Sequence, residues 1–187
     1  MKLTPTPIAD LVVIEPKVFE DQRGYFMESY QQDWFDTHIA PTQFIQDNES
    51  QSTRGVLRGL HFQSGEYAQA KLVRVLQGEV LDVAVDLRPN SNTFGQHFKI
   101  VLSAANKKQI FIPRGFAHGF VVLSETAIFA YKVDNVYSKT NEGGILFNDS
   151  ELDIDWGIPS TEIILSEKDA ELPSFAAWKA TQNISQR

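Results

Sequence analysis

Apolar and polar residues alternate with a period of two through the middle of the chain. Polar or small residues separate Leu81, Val83, Val85 and Leu87, which predicts a strand with one apolar face. Residues 71–76 predict a second strand immediately before it. This periodicity favours sheet over helix in the central part of the chain.

Further short segments follow the same pattern and are bounded by turn residues. The expected turns are Gln77-Gly78, Asn106–Lys108 and Pro113–Gly115. The further predicted strands are 98–102, 109–112, 119–123 and 127–133, the last two pairing across residues 124–126. Strands at this spacing, punctuated by Gly and Pro, predict an all-β fold, a jelly-roll barrel or sandwich.

Helical patterns are scarce and lie outside the predicted barrel. Residues 33–39 predict one short helix, and residues 166–180 predict another that Pro173 interrupts. No internal repeat or low-complexity linker is visible, so we predict a single domain over residues 1–187 with short peripheral helices.

Composition narrows the class of protein. The chain has 187 residues, 42% of them hydrophobic, which is enough for one domain with a sizeable core. A net charge of -7 argues against broad electrostatic binding to nucleic acid. The absence of cysteine excludes disulfides and thiolate chemistry and fits a reducing compartment. No signal-peptide pattern and no membrane-length apolar run is visible, so we predict a cytoplasmic protein without membrane contact.

Three residues on predicted strands suit proton transfer next to a carbonyl group. His61 can take a proton, Lys71 can stabilise an oxyanion, and Tyr131 can return a proton. Each has a structural alternative when taken alone: a hydrogen-bonded histidine, a solvated lysine at a strand end, and an aromatic core residue. Lys71 alternates with residues that look buried, and a lysine pointing into a barrel is costly unless it meets an anion.

Other polar residues are candidate site residues, and each of them also has a purely structural interpretation. Asp169 follows Ser166 at the spacing of a helix cap, and it could also orient His61 as in a His–Asp dyad. Arg23 before Gly24 could bind a phosphate or simply lie solvated in a hairpin turn. The polar cluster of Gln46, Asn48 and Glu49 indicates, by itself, only a loop.

His118 lies in the segment Pro113-x-Gly115-x-x-His118, which resembles the second signature of the cupin superfamily. Metal-binding cupins carry a His-x-His pair in their first signature, but here Gln63 lies two residues after His61. Without that pair the site is poor for a transition metal, so we predict none. We interpret His118 as a hydrogen-bond donor to substrate or a positioning residue, with a buried structural histidine as the alternative.

Taken together, the motifs resemble the dTDP-4-dehydrorhamnose 3,5-epimerases, cupins that act on a nucleotide sugar. The resemblance runs from Phe19-x-Asp21-x-Arg23-Gly24-x-Phe26 to Ser166-x-Lys168-Asp169. Its most specific parts are Arg58–Gln63, Lys71–Val75 and Pro113–Phe120. One departure is the loop Ser64–Gln69, where the family usually has a Pro-rich segment.

The resemblance implies a role for each candidate residue. His61 would be the general base with Asp169 as its partner, Lys71 would stabilise the enolate, and Tyr131 would be the general acid. Arg23 and Arg58 would contact the diphosphate. The nucleotide end would be contacted by Phe26, Glu28, Gln46 and Asn48, some of them donated across a homodimer. The remaining substrate contacts would be His118, Glu142 and Lys168, and Tyr137, from its type and place, could stack on the base.

The implied reaction needs no cofactor. It converts dTDP-4-dehydro-6-deoxy-D-glucose to dTDP-4-dehydro-L-rhamnose by epimerisation at C3 and C5, in the biosynthesis of dTDP-L-rhamnose. Alternatives are an epimerase acting at C3 or C5 only, a ketoisomerase of a related sugar nucleotide, a metal-dependent cupin oxygenase, and a non-catalytic binding module. Gln63 argues against the oxygenase, and the complete His–Lys–Tyr–Asp set argues against the binding module.

Overall fold

Strands dominate the computed structural model, which describes residues 1–182. The strands are β1 Lys2–Pro5, β2 Val12–Glu15, β3 Val18–Asp21, β4 Gly24–Met27, β5 Gln46–Thr53, β6 Leu57–Gln63, β7 Lys71–Gln77, β8 Glu79–Asp86, β9 His97–Ser103, β10 Gln109–Ile112, β11 Phe116–Val122, β12 Thr126–Val133 and β13 Glu142–Gly144. The helices are α1 Gln32–His38, α2 Glu167–Ala170 and α3 Phe175–Thr181. The expected all-β class with short peripheral helices is confirmed.

Two antiparallel sheets face each other across the core. The six-stranded sheet has the order β1-β2-β10-β7-β12-β5, and the five-stranded sheet has the order β13-β6-β11-β8-β9. Strands that follow one another along the chain often lie in opposite sheets, as β6, β7 and β8 do. This alternation produces a jelly roll, because each turn carries the chain across the core rather than along one sheet.

The predicted pairing of residues 119–123 with 127–133 is wrong. Strand β11 pairs with β6 and β8, whereas β12 pairs with β5 and β7 in the other sheet. Two consecutive apolar strands joined by a short turn suggest a hairpin, but here the turn crosses between the sheets. Strand β11 also begins at Phe116, three residues before the predicted start.

Strand β8 is buried on both faces, although its sequence predicted only one apolar face. Leu81 and Val83 pack in a cluster with Trp156 and Phe175, which belong to the C-terminal segment. The opposite face contributes Val80 and Ala84 to the core between the sheets. The apolar row therefore lies under the C-terminal segment, and the row that contains Asp82 faces the barrel interior.

The turn between β7 and β8 lies where the sequence predicted it. Gly78 has a φ of +75°, and a Cβ there would lie 2.0 Å from the backbone oxygen of Thr126. Only glycine fits both the backbone conformation and the close approach.

A separate two-stranded hairpin, β3–β4, lies outside both sheets. We refer to residues 18–27 as the arm. Its aromatic residues Phe19, Tyr25 and Phe26 are exposed, with relative exposures of 52%, 56% and 68%. Isolated hairpins with exposed aromatic rings are uncommon in folded monomers, because such rings are usually buried against another surface.

Candidate active site

A cavity of about 510 Å³ opens between the two sheets and contains most of the candidate residues. Strands β5, β6, β7, β11 and β12 and the segment 164–169 provide its walls. The candidates that line it are Asn48, Arg58, His61, Lys71, His118, Tyr131, Lys168 and Asp169. The fold therefore brings together residues that are up to 121 positions apart in the sequence, from Asn48 to Asp169.

His61 and Asp169 form a dyad at the cavity wall. Nε2 of His61 and Oδ1 of Asp169 are 2.5 Å apart. Asp169 is buried on the one-turn helix α2. Ser166 is the N-cap of this helix, and its hydroxyl accepts a hydrogen bond from the Asp169 backbone N–H at 3.1 Å. The capping function and the His–Asp contact expected from the sequence thus occur together. Because Asp169 occupies Nε2, Nδ1 is the ring nitrogen available to take a proton.

Lys71 lies at the start of β7 and lines the cavity, so of the two alternatives left open by the sequence the solvated strand-end lysine is wrong. Burial lowers the pKa of Lys71 to about 8, although the carboxylates of Asp82 and Glu142 act in the opposite direction. A cation held in such surroundings can stabilise a developing negative charge more strongly than one in water.

Tyr131 stands on the opposite sheet from His61. Its ring is 5.8 Å from the Lys71 ammonium. Burial raises the pKa of Tyr131, with Arg58 acting weakly against it, so the phenol keeps its proton at neutral pH. Arg58 is itself held by Ser52, whose hydroxyl oxygen accepts from the guanidinium at 3.2 Å.

His118 pairs with a carboxylate that the sequence analysis missed. Its Nε2 lies 2.9 Å from Oδ2 of Asp82, and both side chains are buried. Burial lowers the pKa of His118, and Asp82 partly opposes this effect. Asp82 was missed because it was taken as part of a solvent-facing polar row. No local signal marks Asp82 as buried, because a charged residue that alternates with Leu81 and Val83 is also the pattern of a half-exposed strand.

Glu142, Lys168 and Tyr137 form a connected group beside the dyad. Nζ of Lys168 lies 2.6 Å from Oε2 of Glu142, and the Tyr137 hydroxyl donates to the same oxygen at 2.9 Å. Burial raises the pKa of Glu142, but the contacts with Lys168 and Tyr137 outweigh it, and the net shift is downward. Glu142 lies on β13, which pairs with the strand of His61, so these three residues belong to the same region of the site.

Six candidates do not line the cavity: Tyr137 and Glu142, which belong to the group beside the dyad, and Arg23, Phe26, Glu28 and Gln46. Arg23 and Phe26 lie on the arm and Glu28 just after it, and Arg23 is paired with Asp21 of the same hairpin. Gln46 is exposed at the start of β5, and its amide donates to the Asn48 side chain at 2.7 Å. Within one chain, the arm residues are therefore not assembled with the dyad.

Two further observations concern residues 1–182. No group of three or more His, Asp or Glu side chains in this range is placed to hold a metal ion. None of the helices in the same range has the length and apolar character needed to cross a membrane.

The arrangement can act on a carbon next to a carbonyl. His61 lies on β6 of the five-stranded sheet and Tyr131 on β12 of the six-stranded sheet, so a base and an acid face each other across the cavity. A ligand bound between them would present one face to each group. Lys71 would be the cation for an enolate oxygen.

Comparison with known proteins supports the same chemistry. The family model for dTDP-4-dehydrorhamnose 3,5-epimerase matches residues 5–177. The chain is 53% identical over 176 residues to the dTDP-4-dehydrorhamnose 3,5-epimerase of Shigella flexneri, covering 94% of this chain and 96% of that one.

Solved structures of similar epimerases have the same fold as this chain. The dTDP-4-dehydrorhamnose 3,5-epimerase of Elizabethkingia anophelis superposes with a TM-score of 0.92 at 58% identity, covering 95% of this chain and 97% of that one. The Legionella pneumophila dTDP-6-deoxy-D-glucose-3,5-epimerase, solved in complex with dTDP-4-keto-L-rhamnose, has a TM-score of 0.92 at 46% identity, with 96% and 95% coverage. The chain belongs to the dTDP-4-dehydrorhamnose 3,5-epimerase family and is an epimerase of the isomerase class.

Proposed function

We propose that the protein epimerises dTDP-4-dehydro-6-deoxy-D-glucose at C3 and C5 to give dTDP-4-dehydro-L-rhamnose, in the biosynthesis of dTDP-L-rhamnose. The observation that carries this proposal is the placement of His61 and Tyr131 on opposite sheets around one cavity, with Lys71 beside them. Epimerisation requires removal of a proton from one face of a carbon and its return to the other, and two opposed groups supply that.

The C4 ketone makes the chemistry feasible without a cofactor. His61 removes the proton from C3 or C5, and the electrons of the broken C–H bond move into the C4 oxygen to form an enolate. The Lys71 ammonium stabilises that oxygen. Tyr131 then donates its proton to the opposite face, which inverts the centre. Exchange with solvent returns a proton to Tyr131 and removes the one held by His61.

Asp169 supports the base in this scheme. A carboxylate at Nε2 fixes the ring orientation and stabilises the imidazolium that forms when Nδ1 takes the proton. The raised pKa of Tyr131 suits its role, because the acid must be protonated at the start of the step.

The diphosphate and nucleotide lie, in our proposal, toward Arg58 and the arm. Arg58 lines the cavity and offers a planar guanidinium for a phosphate. Arg23, Phe26 and Glu28 do not reach the cavity of their own chain, so we propose that a second copy donates them in a homodimer. The exposed aromatic rings of the arm support this, since a partner surface would cover them. Tyr137, exposed at the rim, remains our candidate for stacking on the base.

We further propose that the chain forms a single domain and works in the cytoplasm, where nucleotide sugars and reduced conditions fit a sequence without cysteine.

The test is turnover by the purified protein without added metal and in the presence of a chelator. We expect dTDP-4-dehydro-6-deoxy-D-glucose to be converted to a product that NMR identifies as inverted at both carbons. Inversion at one carbon would favour a single-site epimerase. Loss of activity on chelation, restored by metal, would favour a metal-dependent mechanism.

A further inference from the structure

A second histidine–carboxylate pair lies beside the catalytic dyad. His118 of β11 is the direct cross-strand neighbour of His61, and Asp82 comes from β8 on the other side of β11. Nε2 of His118 and Oδ2 of Asp82 are 2.9 Å apart. The His118 ring also stacks on Phe129 with 6.0 Å between ring centroids, so packing and hydrogen bonding both fix its orientation.

The pairing determines where the ring proton lies. A carboxylate can only accept a hydrogen bond, so Nε2 of His118 must carry the proton that is shared with Asp82. Burial disfavours the charged imidazolium and lowers the pKa of His118. Lys71 is close enough to Asp82 to offset the charge of the buried carboxylate. A neutral ring with its proton on Nε2 leaves a lone pair on Nδ1.

Nδ1 of His118 faces the cavity without a partner. Among residues 1–182, no group forms a hydrogen bond with Nδ1 of His118. Oδ1 of Asp82 is both unpaired and completely buried, whereas Nδ1 of His118 is unpaired but not completely buried. His118 lines the cavity, so its unpaired nitrogen is accessible from there.

We propose that Asp82 is a positioning residue that fixes His118 in the Nε2–H form, so that Nδ1 accepts a hydrogen bond from a hydroxyl group of the bound sugar. This proposal rests on the proposed function, since it assigns part of the same cavity to the sugar. It reverses the donor role that the sequence suggested for His118. A sugar that lacks the hydroxyl would leave the buried nitrogen unpaired and would be selected against.

The tautomer can be measured directly by NMR on the full-length protein labelled with [15N]histidine. The chain has four histidines, and the variants His38→Gln, His61→Asn and His97→Gln each remove the two ring-nitrogen signals of one histidine, which leaves those of His118 identified. We expect a neutral ring at pH 7 with the proton on Nε2. A proton on Nδ1, or a doubly protonated ring, would overturn the proposal.

Ligand binding tests the acceptor role. The probe is dTDP-6-deoxy-D-glucose, which has the sugar hydroxyls but no ketone and therefore cannot form the enolate. At saturation we expect the Nδ1 signal to move toward that of a hydrogen-bonded nitrogen, whereas dTDP alone should leave it unchanged. An unchanged Nδ1 signal with the bound sugar nucleotide would refute the acceptor role.

The variant Asp82→Leu tests the positioning role, since leucine has a similar shape and accepts no hydrogen bond. We expect the preference for Nε2–H to be lost. An unchanged tautomer in a folded Asp82→Leu protein would contradict the role of Asp82. If the variant does not fold, the tautomer of His118 measured in the wild-type protein still tests the proposal. Turnover of the keto sugar is measured separately, so failure of the proposed function is distinguishable from failure of the tautomer assignment.

Discussion

At the scale of single residues, the site depends on side chains whose surroundings change their chemistry. Nε2 of His61 contacts Asp169 at 2.5 Å, and the other ring nitrogen is the one that we propose takes the proton from the sugar. Lys71 and Tyr131 lie in the same cavity with their pKa values moved in opposite directions by burial. Burial favours the neutral form of each, which keeps the tyrosine acid protonated and makes the lysine cation sensitive to pH.

The variant His61→Asn tests the base. We expect kcat to fall by about 100-fold or more, because a positioned general base contributes about that much. The matched control is His38→Gln, since His38 is exposed on α1 and does not line the cavity. The measurement is the rate of product formation, with circular dichroism to verify folding. A folded His61→Asn protein with near wild-type kcat would remove His61 from this role.

The lowered pKa of Lys71 leads us to expect a loss of activity at alkaline pH. Its pKa in the folded protein is about 8, so the cation is present below this pH and is lost as the pH rises through it. We expect kcat/KM, which reports the free enzyme, to decline above about pH 8. In Lys71→Arg the guanidinium stays charged, so the decline should move to higher pH even if the overall rate is lower. An alkaline decline at the same pH in both proteins would assign it to another group.

At the scale of elements, the one-turn helix α2 connects the C-terminal segment to the dyad. Ser166 caps its first turn and Asp169 contacts His61. Lys168 adds an ion pair to Glu142 on β13. A helix this short is not stable by itself, so these contacts hold the Asp169 carboxylate in place.

The variant Ser166→Ala tests that connection. Loss of a cap costs about 1 kcal/mol, and here it also frees the backbone of Asp169. The matched control is Ser174→Ala, because Ser174 caps α3 in the same way through the N–H of Ala177 at 3.2 Å but supports no candidate catalytic residue. We expect similar losses in thermal stability and a several-fold lower kcat only for Ser166→Ala. Equal kcat values in the two variants would show that the cap of α2 does not affect catalysis.

Much of the element pattern could be predicted because alternation and turn residues are local signals. The Gln77-Gly78 turn, the strand from Lys71 and the break at Pro173 all lie where the sequence placed them. The sheet that a strand joins depends on contacts with residues distant in sequence, which local patterns do not reveal. For this reason the pairing of β11 with β12 was predicted wrongly. Asp82 was missed for a related reason, since the C-terminal segment that buries the outer face of β8 is distant in sequence.

At the scale of the whole molecule, an acidic protein is proposed to bind an acidic ligand. The net charge is -7, so attraction of the diphosphate must come from local cations. Arg58, Lys71 and Lys168 line the cavity, and Arg23 on the arm is our candidate for a fourth. The proposed homodimer would bring the arm of one chain to the cavity of the other.

Complementation tests the arm. Arg23→Ala should raise KM and His61→Asn should lower kcat, so each variant alone is impaired. If the arm crosses to the partner, a mixed dimer contains one site with both residues intact. An equal mixture, refolded together, should then recover about a quarter of the wild-type rate. No recovery in a mixture that demonstrably forms mixed dimers would place the arm against its own chain.

The central claim is that both faces of the sugar exchange protons at C3 and C5 through an enolate. The most direct measurement is incubation with dTDP-4-dehydro-6-deoxy-D-glucose in heavy water, followed by mass spectrometry and NMR of the product. We predict deuterium at both carbons, with both centres inverted. A product without deuterium at either carbon would contradict the enolate mechanism and the roles of His61, Lys71 and Tyr131 with it.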